Sequence, residues 1–285
     1  MGSKHIKPLK SLGQNFLIDE EVIAEIVNGS GVGEDSLVVE IGPGEGALTE
    51  HLAEMAGHVV AVDLDERMIK LLKVKLFGYD NVELIHGDIL ELDLSKLIEE
   101  RLSEYNLTNV RIVGNLPYYI TTPIIMKLLK MRTATDSITV MMQKEVGDRI
   151  LAGPGSKQIG VITYSVQYYA DVSKVIDVGR ESFYPSPKVD SVVLRLDIRK
   201  NPAVTVSDED FFFKTIKAGF MMRRKTLLNS LTSLDGFSKP VIEEALNNAN
   251  IEANRRAESL SMEEFARLSE ELLNIKNKAQ RRNIA

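Results

Sequence analysis

Short runs rich in valine, isoleucine and leucine recur through the first two-thirds of the chain, mostly separated by stretches whose apolar residues have helical spacing. The runs are LVVEI (37–41), HVVAVD (58–63), VELIH (82–86), VRIVG (110–114), SITVMM (137–142), KVIDV (174–178) and SVVLRL (191–196). Parallel strands need long crossover connections, and the intervening stretches can supply them, so the pattern predicts an α/β fold with a mainly parallel sheet. Ala47, Leu48, Leu52 and Met55 share one helical face after the first run, as do Met68, Ile69, Leu72 and Leu76 after the second. The last two runs are joined by GRESFYPSPK, which is proline-punctuated and leaves no room for a crossover helix. They are predicted to pair antiparallel, which gives a parallel sheet with one reversed strand.

After Arg199 the pattern becomes helical only. Asn201-Pro202 marks a break, and Ser207 followed by Asp208, Glu209 and Asp210 has the form of a capped helix start. Two domains are therefore expected: residues 1–199 as the α/β domain and residues 200–285 as a small α-helical domain. The tail from Asn274 onward is polar and basic without an apolar stripe, and is expected to fray.

Composition narrows the chemistry. The chain has no cysteine, which removes disulfides, thiolate nucleophiles and cysteine-held metals. Its four histidines, His5, His51, His58 and His86, have no metal-ligand spacing, so no metal is expected. No run of eighteen apolar residues exists and no apolar segment follows the charged start, so a cytoplasmic protein without a membrane partner is expected. The net charge is −6, so a nucleic-acid partner would have to meet a local basic face.

The first run ends in Gly42-Pro43-Gly44-Glu45-Gly46 and leads into a helix. Glycines at the carboxyl end of a first strand let backbone N–H groups approach a ligand, although a tight turn without a ligand has the same sequence. Carboxylates end the next two strands: Asp63, about 20 residues beyond the glycine turn, and Asp88. Asp63 can accept both hydroxyls of a ribose and Asp88 the exocyclic amine of an adenine, while each also fits a helix cap. Together these features describe a site for an adenosine-containing cofactor. Glu45 stands where a pyrophosphate would lie, which disfavours NAD and suits a cationic ligand with an amino-acid tail, S-adenosylmethionine.

The fourth run breaks into Asn115-Leu116-Pro117-Tyr118 on the same rim. An adenine amine is a poor nucleophile because its lone pair is delocalised into the ring. Acceptors on its N–H groups would aim that lone pair at a methyl donor, and the Asn115 side-chain oxygen and the Leu116 carbonyl can supply them. Pro117 holds φ and Tyr118 can stack on the base. By itself the tetrapeptide also fits a strand end with an Asn-containing turn and a buried tyrosine.

The motifs LGQNFL (12–17), VVEIGPGEGALTEHL (38–52), AVDLDERM (61–68), HGDIL (86–90), GNLPYYITTPI (114–124), MMQKEVGDRI (141–150) and FYPSPKVDSVVLRL (183–196) resemble, in order, those of the ribosomal-RNA adenine dimethyltransferases. The resemblance implies a Rossmann-like S-adenosylmethionine-dependent methyltransferase sheet with a small helical domain. It implies cofactor contacts at Asn15, Leu17, Gly42, Gly44, Asp63, Asp88 and Asn115, and a base flipped between Tyr118 and Phe183. It further implies dimethylation of two adjacent adenines near the 3′ end of small-subunit rRNA, as bare RNA or in a pre-assembled subunit, by a monomer. The family often has glutamate where Asp63 stands, and the shorter carboxylate can still reach a ribose.

Lys214, Lys217, Arg223, Arg224 and Lys225 form a stretch without acids, which fits either a solvated helix end or, with Lys4, Lys7 and Lys10, a phosphate-tracking surface. Two other readings share the scaffold: a large-subunit adenine methyltransferase conferring macrolide resistance, and a noncatalytic ribosome-assembly or transcription factor. LGQNFL and NLPY, where the resistance enzymes more often have a SQNF-type start and NIPY, speak against the first, and the intact motifs speak against the second.

Overall fold

The structure is a computed structural model that describes residues 6–131 and 134–284. In chain order the elements are β1 (Phe16–Leu17), α1 (Glu20–Ser30), β2 (Ser36–Ile41), α2 (Ala47–Met55), β3 (His58–Asp63), α3 (Glu66–Lys75), β4 (Val82–His86), α4 (Leu94–Tyr105), β5 (Asn109–Asn115) and α5 (Thr121–Lys130). They continue with β6 (Ser137–Gln143), α6 (Lys144–Leu151), α7 (Val161–Tyr169), β7 (Ala170–Val178), β8 (Phe183–Tyr184) and β9 (Ser191–Ile198). The last four helices are α8 (Glu209–Met221), α9 (Leu227–Ser230), α10 (Lys239–Asn248) and α11 (Met262–Ile284). All seven strands expected from the sequence form, and β1 pairs with β8 in an additional two-residue ladder, Phe16 opposite Tyr184 and Leu17 opposite Phe183.

The seven-stranded sheet has the order β4-β3-β2-β5-β6-β9-β7. The β4 to β6 ladders are parallel, and β9 runs antiparallel to β6 from Ser137–Asp197 to Gln143–Ser191. β2 and β3 are buried along their whole lengths. That is why they read as continuous apolar runs: helices cover both faces of a parallel sheet. A core of Leu52, Val38, Val59, Val113 and Val193 with Ile23 and Ile26 of α1 fills one side.

From β2 the chain proceeds to β3 and β4 on one flank and returns to β5 on the other. A crevice opens at the carboxyl ends of strands where the order reverses in this way. Gly114 of β5 sits at that point because the strands come unusually close. A Cβ there would lie 2.5 Å from the Ile41 carbonyl oxygen.

The chain divides into two compact units. The first comprises the chain up to Gly147 together with Asp171–Lys200, and the second comprises Asp148–Ala170 together with Asn201–Ala285. The boundary expected at 199/200 thus falls beside Lys200, but the segment around α7 groups with the helical unit. The cause is aromatic packing within that unit. Tyr164 meets Phe265 edge to face at 5.0 Å, Tyr168 lies 5.3 Å from Phe212, and the Tyr164 hydroxyl donates to the Leu260 carbonyl at 2.7 Å.

Two details differ from the sequence expectation. The N-cap of α8 is Asp208, whose carboxylate accepts the Phe211 N–H at 2.9 Å, whereas Ser207 bonds Glu270. The tail does not fray at Asn274, because α11 continues to Ile284. Lys, Gln, Arg and Ala are strong helix formers, and elongation of an anchored helix is favourable without an apolar stripe.

Candidate active site

A cleft with about 1050 Å³ of open space lies in the first unit at the carboxyl ends of β2, β3 and β5. It collects the glycine loop, Asp63, Asp88, the Asn115–Tyr118 tetrapeptide and the Leu12–Leu17 segment. Of the residues expected to touch cofactor, Asn15, Leu17, Gly42, Gly44, Asp63, Asp88 and Asn115 all line it.

The glycine loop turns on left-handed backbone. Gly44 has φ +55°, and a Cβ on it would stand 3.1 Å from the Phe16 ring, so both conformation and space call for glycine. Its N–H donates to Asp63 Oδ2 at 3.2 Å, and the Asp65 N–H donates to Asp63 Oδ1 at 2.8 Å. Each Asp63 oxygen retains an accepting lone pair for a ligand hydroxyl. Burial pushes the Asp63 carboxyl up, and the two backbone N–H donors oppose that shift. Asp88 Oδ1 accepts the Leu90 N–H at 2.8 Å in a local turn, and Oδ2 is left to accept.

Asn115 ends β5 with its amide fixed. Its Nδ2 donates to the Asn15 carbonyl at 3.0 Å, which orients Oδ1 as the remaining acceptor. The Leu116 N–H donates to the Met141 carbonyl at 3.1 Å. The Pro117 carbonyl accepts from the Ile120 N–H and the Thr121 hydroxyl, closing the turn into α5. These bonds leave the Leu116 carbonyl as a second acceptor beside Asn115 Oδ1. The Tyr118 hydroxyl shares a 2.7 Å hydrogen bond with Ser191 Oγ at the start of β9, so the ring is held as a wall, and burial pushes its phenol up.

Phe183 is not brought to the cleft with these groups. It is only 3% exposed, pairs with Leu17 across the β1–β8 ladder, and belongs to the core with Val22 and Val178. The ladder, invisible as two isolated dipeptides in the sequence, is what draws it inward.

The basic residues fall in both units. Lys4 lies outside the described residues. Lys7 and Lys10 are exposed in the first unit, and the Lys7 carbonyl accepts from Arg67 Nη1 at 3.1 Å. In the second unit Lys217, Arg224 and Lys225 are exposed, while Arg223 donates to the Lys157 and Ile159 carbonyls at 2.6 and 3.3 Å. Part of Arg223's donor capacity therefore serves to pin the 152–160 loop.

Glu40 was not anticipated. It is 1% exposed at the cleft floor, its Oε2 has no hydrogen-bond partner, and burial pushes its carboxyl up to about 8. An acid inside the run LVVEI, where both faces of the strand are covered, was the available signal. With Glu40, Glu45, Asp63 and Asp88 on its walls and no lysine, arginine or histidine among the described residues that line it, the cleft suits a cationic adenosine ligand better than a pyrophosphate. S-adenosylmethionine fits that donor set.

Residues 6–274 match the sequence profile of the ribosomal RNA adenine dimethylases. The chain belongs to the ribosomal RNA adenine dimethylase family. It is accordingly an S-adenosylmethionine-dependent rRNA adenine dimethyltransferase, with the cofactor and enzyme class expected from the motifs. It is 48% identical to ribosomal RNA small subunit methyltransferase A of Alkaliphilus oremlandii over 92% of this chain and 91% of the relative. It is 49% identical to the protein of the same name from Bacillus pumilus over 91% and 89%. Among solved structures it is similar to a dimethyladenosine transferase from Plasmodium falciparum, with a TM-score of 0.75, 27% identity, and 93% and 98% of the two chains covered. It is also similar to the 23S rRNA methyltransferase ErmE, with a TM-score of 0.68, 28% identity, and 90% and 99% covered. The dimethylase sheet described above is shared with these neighbours, and no helix among the described residues is long and apolar enough to cross a membrane.

Proposed function

We propose that this dimethylase methylates the N6 amines of two adjacent adenines near the 3′ end of small-subunit rRNA, acting as a monomer in the cytoplasm on the RNA or a pre-assembled small subunit. Relatives named as small-subunit enzymes are 48–49% identical across nearly the whole chain, against 28% for the 23S enzyme, which favours the small-subunit target. A noncatalytic role on the same scaffold is disfavoured because the acid-lined cleft and the oriented Asn115 amide are both intact.

The observation that carries the catalytic reading is that hydrogen bond from Asn115 Nδ2 to the Asn15 carbonyl. It supports the reading in which Oδ1, and not Nδ2, is turned to the cleft. When bound, S-adenosylmethionine supplies an electrophilic methyl group on a sulfonium.

Asp63 takes the ribose hydroxyls, Asp88 the adenine amine of the cofactor, and Gly42 and Gly44 allow close approach of the loop backbone. Asn115 Oδ1 and the Leu116 carbonyl accept the two N6 protons of the target base and turn its lone pair toward the methyl group. Tyr118, fixed through Ser191, stacks on the base. Methyl transfer to that lone pair would leave the base nitrogen with a surplus proton, and with no basic side chain among the described residues lining the cleft the proton would pass to solvent. Phe183 takes the opposite face of the base only where the β1–β8 ladder shifts. Lys7, Lys10, Lys217, Arg224 and Lys225 contact RNA phosphates.

The test is transfer of tritiated methyl groups to small-subunit particles and, separately, to large-subunit RNA, with Asn115→Ala as control. Label in the small-subunit RNA that vanishes with Asn115→Ala supports the proposal. Label confined to large-subunit RNA refutes it.

A further inference from the structure

The segment from Ile6 to Asn15 is tied at intervals to groups around the cleft. The Ile6 N–H donates to Glu45 Oε1 at 2.7 Å, the Lys7 carbonyl accepts from Arg67 Nη1 at 3.1 Å, and the Asn15 carbonyl accepts from Asn115 at 3.0 Å. Gln14 lies between these points. Its Oε1 accepts the Leu9 N–H at 2.8 Å, which holds the local turn, and its Nε2 donates to Asp65 Oδ2 at 2.8 Å.

Asp65 is buried and caps α3. Arg67 grips it at 2.5 Å through Nη2 and at 2.9 Å through Nε, and the same guanidinium reaches the Lys7 carbonyl. Arg67 first, and Gln14 after it, hold the Asp65 carboxyl down to about 2, so it stays ionised across the working pH range. The start of α3 and the N-terminal segment are thus joined through one carboxylate, and the glycine loop meets the same segment separately through Glu45.

We propose that Gln14, Asp65 and Arg67 form a latch that keeps residues 6–15 strapped along the cofactor cleft and thereby sets how fast the cofactor leaves. The inference rests on reading the cleft as the cofactor site. Gln14 and Arg67 are positioning residues: they hold the segment up to Gln14, whereas Asn15 is fixed by its own bonds to the Gly13 carbonyl and to Asn115, so the latch takes no part in methyl transfer. The α3 cap makes Asp65 itself a poor target for substitution, because its loss would also disturb the helix.

The experiment follows release of tritiated S-adenosylmethionine from the full-length protein in a chase with unlabelled cofactor, together with kcat and KM for rRNA methylation. Losing a hydrogen bond to a buried charge should raise the release rate about tenfold in Gln14→Ala and in Arg67→Ala. KM for the cofactor should rise in step and kcat should change by less than about twofold. The double variant should be little worse than either single one, since both act through Asp65.

Gln14→Glu adds a folding control. Its carboxylate faces the ionised Asp65 and cannot donate, so release should be fast at pH 8 and slow toward the wild-type rate only as pH falls through the ordinary glutamate range, about 4, where the protonated acid can donate as the amide does. Unchanged release in Gln14→Ala and Arg67→Ala, or a Gln14→Glu profile parallel to wild type, overturns the latch. If that occurs while Asp63→Ala still weakens cofactor binding, the cleft reading stands without the latch. If Asp63→Ala binds the cofactor as wild type does, the cleft reading fails and takes the latch with it.

Discussion

Replacing Glu40 with glutamine should change how the stability of the cofactor-free enzyme depends on pH. Burial raises the Glu40 carboxyl from its ordinary 4.5 to about 8, outweighing the nearby Thr49 hydroxyl and Lys75, which favour the ion. Between those values the folded chain holds a proton that the unfolded chain has released. Stability from this group therefore falls as pH rises, by about 1.4 kcal/mol per unit, and levels off above pH 8. From pH 5 to 8 the loss amounts to at most about 4 kcal/mol, a large part of a domain's margin. Glu40→Gln has no such proton, and the other titrating groups are common to both proteins, so the difference between their stability curves isolates Glu40.

Urea unfolding followed by circular dichroism at pH 5, 6, 7 and 8 measures that difference. The variant should overtake wild type as pH rises. A cation seated above the carboxylate reverses the preference for the neutral acid, so cofactor affinity in wild type should gain on that of Glu40→Gln toward pH 8. Parallel stability curves for the two proteins would refute the reasoning, because a buried acid with a raised pKa cannot leave the pH dependence of folding unchanged.

Asn115→Ala should lower kcat about 10²–10³-fold with a much smaller change in cofactor Kd, as for loss of one preorganised polar contact to the reacting group, read by single-turnover methyl transfer. Tyr118→Ala should weaken use of the target base by about 1–3 kcal/mol in kcat/KM, whereas Tyr118→Phe, which keeps the ring and loses only the Ser191 anchor, should cost under about 1.5 kcal/mol. Arg224→Glu with Lys225→Glu should weaken binding to small-subunit particles and flatten its salt dependence by about one logarithmic unit per lost phosphate contact, measured by filter binding from 50 to 200 mM salt. Gly44→Ala should destabilise the enzyme and weaken cofactor binding together, checked by thermal melting and calorimetry, since the Cβ meets both a left-handed φ and the Phe16 ring.

The sheet was legible because its central strands, β2 and β3 above all, are buried along their lengths and show as apolar runs, and the reversed strand because GRESFYPSPK has no room for a crossover helix. The cofactor rim was legible because its glycines and acids sit at strand ends, where position along the chain determines position in space. What escaped are features made by side chains meeting across long separations. Phe16–Leu17 and Phe183–Tyr184 pair over more than 160 residues, and no local pattern marks a two-residue strand. The Ser191 partner of Tyr118 and the Asp65 partner of Gln14 are hydroxyl and carboxylate groups of ordinary composition, chosen only by the fold. The 148–170 segment misled for a related reason: its aromatic residues look like core for any neighbour, and only the packing of Tyr164 and Tyr168 on Phe265 and Phe212 assigns them to the helical unit.

Charge distribution ties the cofactor to the RNA. A cleft that holds a cation is better served by carboxylates, and four of them line it. Glu45, Asp63 and Asp88 disfavour a phosphate backbone there, so the cleft suits an unstacked base better than the strand that carries it. Phosphate contacts must come from elsewhere, and the exposed Lys217, Arg224 and Lys225 of the helical unit have the required charge within a chain whose net charge is −6. If Lys7, Lys10, Lys217, Arg224 and Lys225 are the phosphate contacts, the slope of log K against log salt should not exceed about five in magnitude. Recognition would then rest on the shape of the folded RNA and on the base that enters the pocket. This division requires that neutralising Arg224 and Lys225 weaken RNA binding while leaving cofactor Kd unchanged, and that neutralising Asp63 do the opposite.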